Sequence, residues 1–116
     1  MRELKHLEDI INNYDYFIID LWGVVHNGIM LYPSAMKTIE ELHYNKKNYC
    51  FLSNAPRPVS DVRQFLTEKM KIDKKFLINI LTYGEEVIKS IKNFNYSKFF
   101  FHLGTDRDKK IYKGLE

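Results

Sequence analysis

The sequence predicts an α/β fold built on a mainly parallel, doubly wound sheet, and three observations carry that reading. Two short apolar runs, Tyr16–Ile19 and Tyr49–Leu52, each end on polar groups, Asp20 in the first and Ser53-Asn54 in the second. Uninterrupted apolar runs of this length suit strands covered on both faces, as parallel strands are. Between and after them the apolar period lengthens to that of helices, so strands alternate with helical crossovers. A carboxylate at the end of a buried strand, followed by a glycine-opened loop at Gly23, stands where open α/β sheets bind their ligands.

The elements follow in order. Leu4, Leu7, Ile10 and Ile11 mark one face of a leading helix that Asn12 and Asn13 end. The first strand, Tyr16–Asp20, should be buried on both faces. Asn27-Gly28 then signals a turn. Pro33 and Ser34 open the next helix, with Ser34 as N-cap and Met36, Ile39 and Leu42 on one face. Strand two covers Tyr49–Ser53. The breaker APRPVS leads into a helix whose apolar side holds Val62, Phe65, Leu66 and Met70. Ile78–Leu81 reads as strand three. Thr82 and Glu85 have capping-box spacing for a fourth helix carrying Val87, Ile88 and Ile91. KFFFHL, Lys98–Leu103, reads as a fourth strand that Gly104 ends. With right-handed crossovers, Asp20, Ser53, Thr82 and Gly104 would share one rim of a Rossmann-like sheet.

Composition narrows the function classes. A chain of 116 residues with 45% apolar content supports one domain with a true core. The net charge of +3 is spread through the helices rather than gathered into a stripe, which argues against a nucleic-acid partner. Cys50 is the single cysteine, so neither an intrachain disulfide nor a CxxC metal pair can form. It sits in mid-strand as an inert core thiol. The charged N-terminus is no signal peptide and no stretch is long enough to span a membrane, so a cytoplasmic location is expected. His6, His43 and His102 lack ligand spacing, and no zinc site is read from them.

Asp20-Leu21-Trp22-Gly23-Val24, then His26-Asn27-Gly28, Pro33-Ser34-Ala35 and Ser53-Asn54, together resemble the haloacid dehalogenase (HAD) superfamily. The similarity is to its subclass IIA, which holds NagD, 4-nitrophenyl phosphatase and pyridoxal phosphatase, in a DxWGVxHxG variant of the first motif. It extends over roughly residues 14 to 104. The resemblance implies an incomplete HAD-like core in 1–116, the N-terminal portion of a hydrolase whose cap and C-terminal motifs are absent. It implies that Asp20 is a nucleophile forming an aspartyl-phosphate. Asp20 and the Trp22 backbone carbonyl would hold Mg²⁺, weakly in this chain. Ser53, Asn54 and Arg57 would bind the phosphoryl group of a small phosphorylated metabolite. Ala55 stands where relatives usually carry an asparagine, so a substrate contact is missing there.

Two departures bear on the chemistry. The family's second aspartate, the general acid two residues after the nucleophile, is Trp22 here. Loss of such a group typically costs about two to four orders of magnitude in rate. The downstream lysine and acidic metal motif lie beyond the chain. Weak activity or none is therefore expected, with two alternatives: a non-catalytic product of a truncated or split gene, or a dehalogenase-type hydrolase that lacks the second aspartate. The missing half would leave the first strand unpaired on one side, which implies self-association or a complementing C-terminal chain as partner. Bland readings stand beside these. Asp20 could end a strand and cap a turn; Trp22 could be packing; His26 could line the site entrance or sit exposed in its loop; the FFF run could be sheet core or a bare edge.

Overall fold

A computed structural model describes residues 4–93, 99–106, 108, 109, 111 and 115 of the 116. Three parallel strands, β1 (Tyr16–Asp20), β2 (Asn48–Ser53) and β3 (Ile80–Thr82), pair in the order β1-β2-β3. Helix α1 (Pro33–Tyr44) connects the first two. Helix α2 (Val59–Gln64) continues as a π-helical turn, Phe65–Lys69, on the way to β3, and α3 (Tyr83–Asn93) follows. The parallel α/β architecture expected from the alternation is present.

Register explains which side chains go where. Phe17 and Ile19 of β1 lie beside Tyr49 and Phe51 of β2, and Phe51 beside Ile80 of β3. This face packs against Ile39 and Leu42 of α1, Val62 of α2 and Leu66 of the π-helical turn in one apolar cluster. Tyr49 is buried there with its hydroxyl satisfied, donating to the Phe76 carbonyl at 3.0 Å with His43 Nδ1 3.2 Å away. Burial raises its pKa.

The opposite face is bare. Tyr16 and Ile18 are 76% and 74% exposed, and Leu52 and Leu81 continue the same row. The expectation that β1 is buried on both faces is therefore corrected: no described helix covers its second face, and only one of its edges is paired. Cys50 belongs to this row too and is half-buried rather than a core thiol.

Other boundaries also differ from the sequence reading. The leading helix is two 3₁₀ turns, Leu7–Asp9 and Ile11–Asn13, because too few apolar contacts are available to extend it. Tyr32, not Ser34, is the N-cap of α1, and Pro33 takes the first helical position, where its missing N–H costs nothing. Strand three starts at Ile80, two residues later than expected, since the 3₁₀ turn Lys74–Phe76 brings the chain back to the sheet first. Val87 is exposed while Ile88 alone of the α3 trio is fully buried. The fourth strand does not form: Lys98 lies outside the described residues, and Phe99–Leu103 have no regular structure and are largely exposed. An apolar run cannot be a strand where no neighbour receives its hydrogen bonds.

An exposed apolar sheet face beside an open strand edge favours association. The chain is expected to migrate above its monomer mass in size-exclusion chromatography, with a concentration-dependent elution volume. Ile18→Lys with Leu52→Lys should shift it toward monomer. A wild-type chain that stays monomeric across micromolar concentrations would refute this.

Candidate active site at the strand ends

The loop after β1 is wound into a tight turn. Val25 and His26 donate backbone bonds to the Leu21 carbonyl at 2.9 and 3.2 Å, and Gly23 N–H donates to the His26 carbonyl at 2.8 Å. Leu21 and Val25 anchor the turn in the core. Gly23 and Gly28 have φ of +80° and +84°, a region glycine enters without steric cost. The Asn27 carboxamide accepts from the Ile29 and Met30 amides at 3.0 and 2.8 Å, closing the turn that Asn27-Gly28 signalled.

Trp22 rests on Gly28. A Cβ at Gly28 would collide with the indole ring, so this glycine is the floor on which the tryptophan lies. His26 stands edge-on to Trp22, with centroids 5.8 Å apart, and edge-on to Phe65 at 5.3 Å. His26 is buried, 6% exposed, and its Nδ1 accepts from the Gly28 N–H at 3.0 Å. Burial lowers its pKa, opposed by the negative charge of Asp20. Of the readings open for His26, the exposed loop histidine is excluded.

The second loop is clamped from behind. Thr82 Oγ1 donates to the Arg57 carbonyl at 2.7 Å, and the Gly84 N–H donates to the Ala55 carbonyl at 3.1 Å. Glu85 Oε2 accepts from the Val59 N–H at 3.3 Å. Thr82 Oγ1 also accepts from the Glu85 amide at 3.2 Å, half of the expected capping box; the Glu85 carboxylate holds the neighbouring loop instead of closing it. A Cβ on Gly84 would lie 2.5 Å from the Arg57 carbonyl carbon and 2.6 Å from its oxygen. Residues 54–59 thus ride on the N-terminus of α3.

Ser53, Asn54, Arg57 and Trp22 line one cavity of about 650 Å³, with His26, Phe65 and Lys69 on its walls. Ser53 is buried, and its Oγ accepts from the Ala55 N–H at 3.2 Å, which holds the hydroxyl at the strand end. Arg57 Nε lies 3.6 Å from Asp108, which reaches the same cavity.

Asp20 is set apart from these four. It pairs in register with Leu52, so it belongs to the bare-face row, whereas Ser53 and Thr82 belong to the covered row. Its carboxylate lines an adjoining hollow of about 560 Å³ with Val24, Val25 and Ser34, and Oδ1 accepts from the Leu21 N–H at 2.8 Å. The strand ends bring Asp20 and Ser53 to one rim but into neighbouring hollows.

Among the described residues no three His, Cys, Asp or Glu side chains cluster as a metal site. A single carboxylate such as Asp20 is nevertheless compatible with Mg²⁺, which is commonly held by one or two carboxylates, waters and a substrate phosphate. The strand that Gly104 was expected to end is absent among the described residues, and Gly104 is not among the residues lining the cavity. The sequence reading missed Val62, Phe65, Lys69 and Asp108 as cavity residues: the first two read as core, and nothing in their spacing points to the rim.

No helix among the described residues is long and apolar enough to cross a membrane. No curated protein matches the chain. The crystal structure of a hydrolase of the haloacid dehalogenase-like family from Brucella suis 1330 superposes with a TM-score of 0.83 at 26% identity. The match takes in 97% of this chain and 42% of that one, so this chain spans less than half the length of its solved relative. Residues 17–116 match the family model of haloacid dehalogenase-like hydrolases. With the parallel sheet and the strand-end rim, that match over most of its length places the chain in the haloacid dehalogenase-like hydrolase family.

Proposed function

We propose that this chain forms the front half of a phosphoryl-transfer site of the subclass IIA type, in the DxWGVxHxG variant. Its substrate class is a small phosphorylated metabolite. The observation that supports this most is the juxtaposition at the ends of β1 and β2: Asp20 at one strand end, with Ser53, Asn54 and Arg57 leading from the other into a cavity. In this reading an Asp20 oxygen attacks phosphorus and the bond to the leaving oxygen breaks, giving an aspartyl-phosphate. Water then attacks phosphorus and releases phosphate, restoring the carboxylate. The Ser53 hydroxyl, the Asn54 amide and the Arg57 guanidinium orient the phosphoryl oxygens and offset their charge. Mg²⁺, held by Asp20 and the Trp22 carbonyl, would supply charge neutralisation at the phosphate.

Trp22 donates no proton at useful pH, so the leaving group must depart unassisted. The bare face and free edge of β1 are proposed as the surface that receives a complementing C-terminal chain, with self-association through the same face as the alternative. The seclusion of Asp20 in its own hollow favours a second reading in which the chain binds phosphate without turning it over.

Leaving-group dependence tests the proposal. With Mg²⁺ present, phosphate release from acetyl phosphate and 4-nitrophenyl phosphate should exceed that from an alkyl phosphate by at least about a hundredfold. A chelator should remove it. Equal rates on aryl and alkyl esters, or activity indifferent to the chelator, would overturn the assignment. Phosphate binding with no release from any ester would favour the second reading.

A further inference from the structure

We infer that His26 is a fixed hydrogen-bond donor of the cavity, presenting Nε2–H to the anion bound beside Ser53 and Asn54. The inference rests on the proposed phosphate site and adds a positioning residue to it. The tautomer follows from one contact. Nδ1 accepts from the Gly28 N–H at 3.0 Å, so that nitrogen carries the lone pair and the neutral ring holds its proton on Nε2.

The ring has little freedom to do otherwise. It is 6% exposed and wedged edge-on between Trp22 and Phe65. Among the described residues the ring's hydrogen bond is the one at Nδ1 and none engages Nε2–H, although buried donors are nearly always satisfied. His26 lines the cavity with Asn54, Arg57 and Lys69, donors suited to an anion, and with one carboxylate, Asp108, which pairs with Arg57.

The arrangement also reassigns where polarity enters the loop. Trp22 and His26 face each other across a backbone bridge, so the turn offers a nitrogen donor from residue 26 beside the position where a carboxyl would stand at residue 22. A neutral imidazole held this way donates a hydrogen bond and transfers no proton. It orients the phosphoryl group without replacing the missing acid.

The test uses the 116-residue chain, with inorganic phosphate as probe. Long-range ¹⁵N–¹H correlation spectra give the tautomer, with His26→Phe assigning the resonance among the four histidines. Fluorescence of Trp22, the single tryptophan, follows binding. The expected results are an Nε2–H tautomer whose proton moves downfield with phosphate, and at least about tenfold weaker binding in His26→Phe, which keeps the ring contacts. His26→Gln, whose amide nitrogen reaches the same position, should recover part of the loss.

An Nδ1–H tautomer would overturn the inference. So would phosphate affinity unchanged by His26→Phe but weakened by Ser53→Ala, an outcome that leaves the phosphate site standing. No response of the wild-type chain to phosphate would overturn both. If His26→Phe fails to fold, the wild-type tautomer and its phosphate-induced shift decide the matter.

Discussion

Asp20→Asn will abolish phosphate release from every ester, and Trp22→Asp will raise release from alkyl phosphates by about two to four orders of magnitude. Both effects are expected in a chain continued with the downstream lysine and acidic motif that the family resemblance implies. The amide removes the attacking oxygen's charge, so no leaving group rescues it. The gain in Trp22→Asp is confined to poor leaving groups, because only an alkoxide needs the proton. Acetyl phosphate should change little. In the 116-residue chain alone Trp22→Asp should restore nothing, since the carboxylate at residue 22 would enter a different hollow from Asp20, with no lysine or acidic motif to draw the two onto one phosphoryl group. It also strips the indole from Gly28 and His26, loosening the turn. Steady-state rates on an acyl, an aryl and an alkyl phosphate measure all of this. Alkyl-phosphate turnover that survives Asp20→Asn would remove the nucleophile from the scheme.

Gly84→Ala is expected to destabilise the chain, against the trend of helix propensity. Alanine in place of glycine within a helix ordinarily gains up to about 1 kcal/mol. Here the new methyl would meet the Arg57 backbone at 2.5–2.6 Å, and a peptide group pinned by Thr82 cannot swing aside as a side chain tip would. Overpacking of this kind costs about 1–3 kcal/mol and more when the neighbour is rigid. The overlap wins, by about 2 kcal/mol, which lowers Tm by about 10 °C for a domain of this size. Phosphate affinity should fall as well, because Asn54 and Arg57 leave their places with the loop. Circular dichroism melts at equal concentration, with a phosphate titration, test both. An unchanged or higher Tm would mean that the 54–59 loop moves freely.

Much of this architecture was legible in the sequence because parallel strands announce themselves twice, by an apolar run and by what ends it. Tyr16–Asp20 and Tyr49–Ser53 did both, and their pairing put Asp20 and Ser53 on one rim. Met36, Ile39 and Leu42 marked the buried stripe of α1 because the helical period leaves few alternatives. Burial partners were not legible. The same apolar string, Phe99–Phe101, is a strand when a neighbour offers an edge and an irregular exposed segment when none does, and nothing local distinguishes the two cases. The separation of Asp20 from the Ser53 cavity was hidden for a related reason. It depends on a one-residue register difference across β1 and β2, which composition and spacing do not encode. His26 was legible only as a loop histidine: its two-residue separation from Gly28 permits the ring-to-amide bond without requiring it.

The strand order has a consequence for how such a polypeptide is made. β1, β2 and β3 lie side by side in the same sequence as they leave the ribosome, so each can pair with one already in place. Synthesis proceeds at about 5–20 residues per second, and the front of a chain generally folds first. In a relative more than twice this length, the row Tyr16, Ile18, Leu52 and Leu81 would then stand uncovered for seconds while the rest was still being translated. During that interval the nascent chain displays a greasy patch of the kind that holdase chaperones bind. Lysine substitutions in that row would make the nascent chain easier to keep in solution and harder to finish.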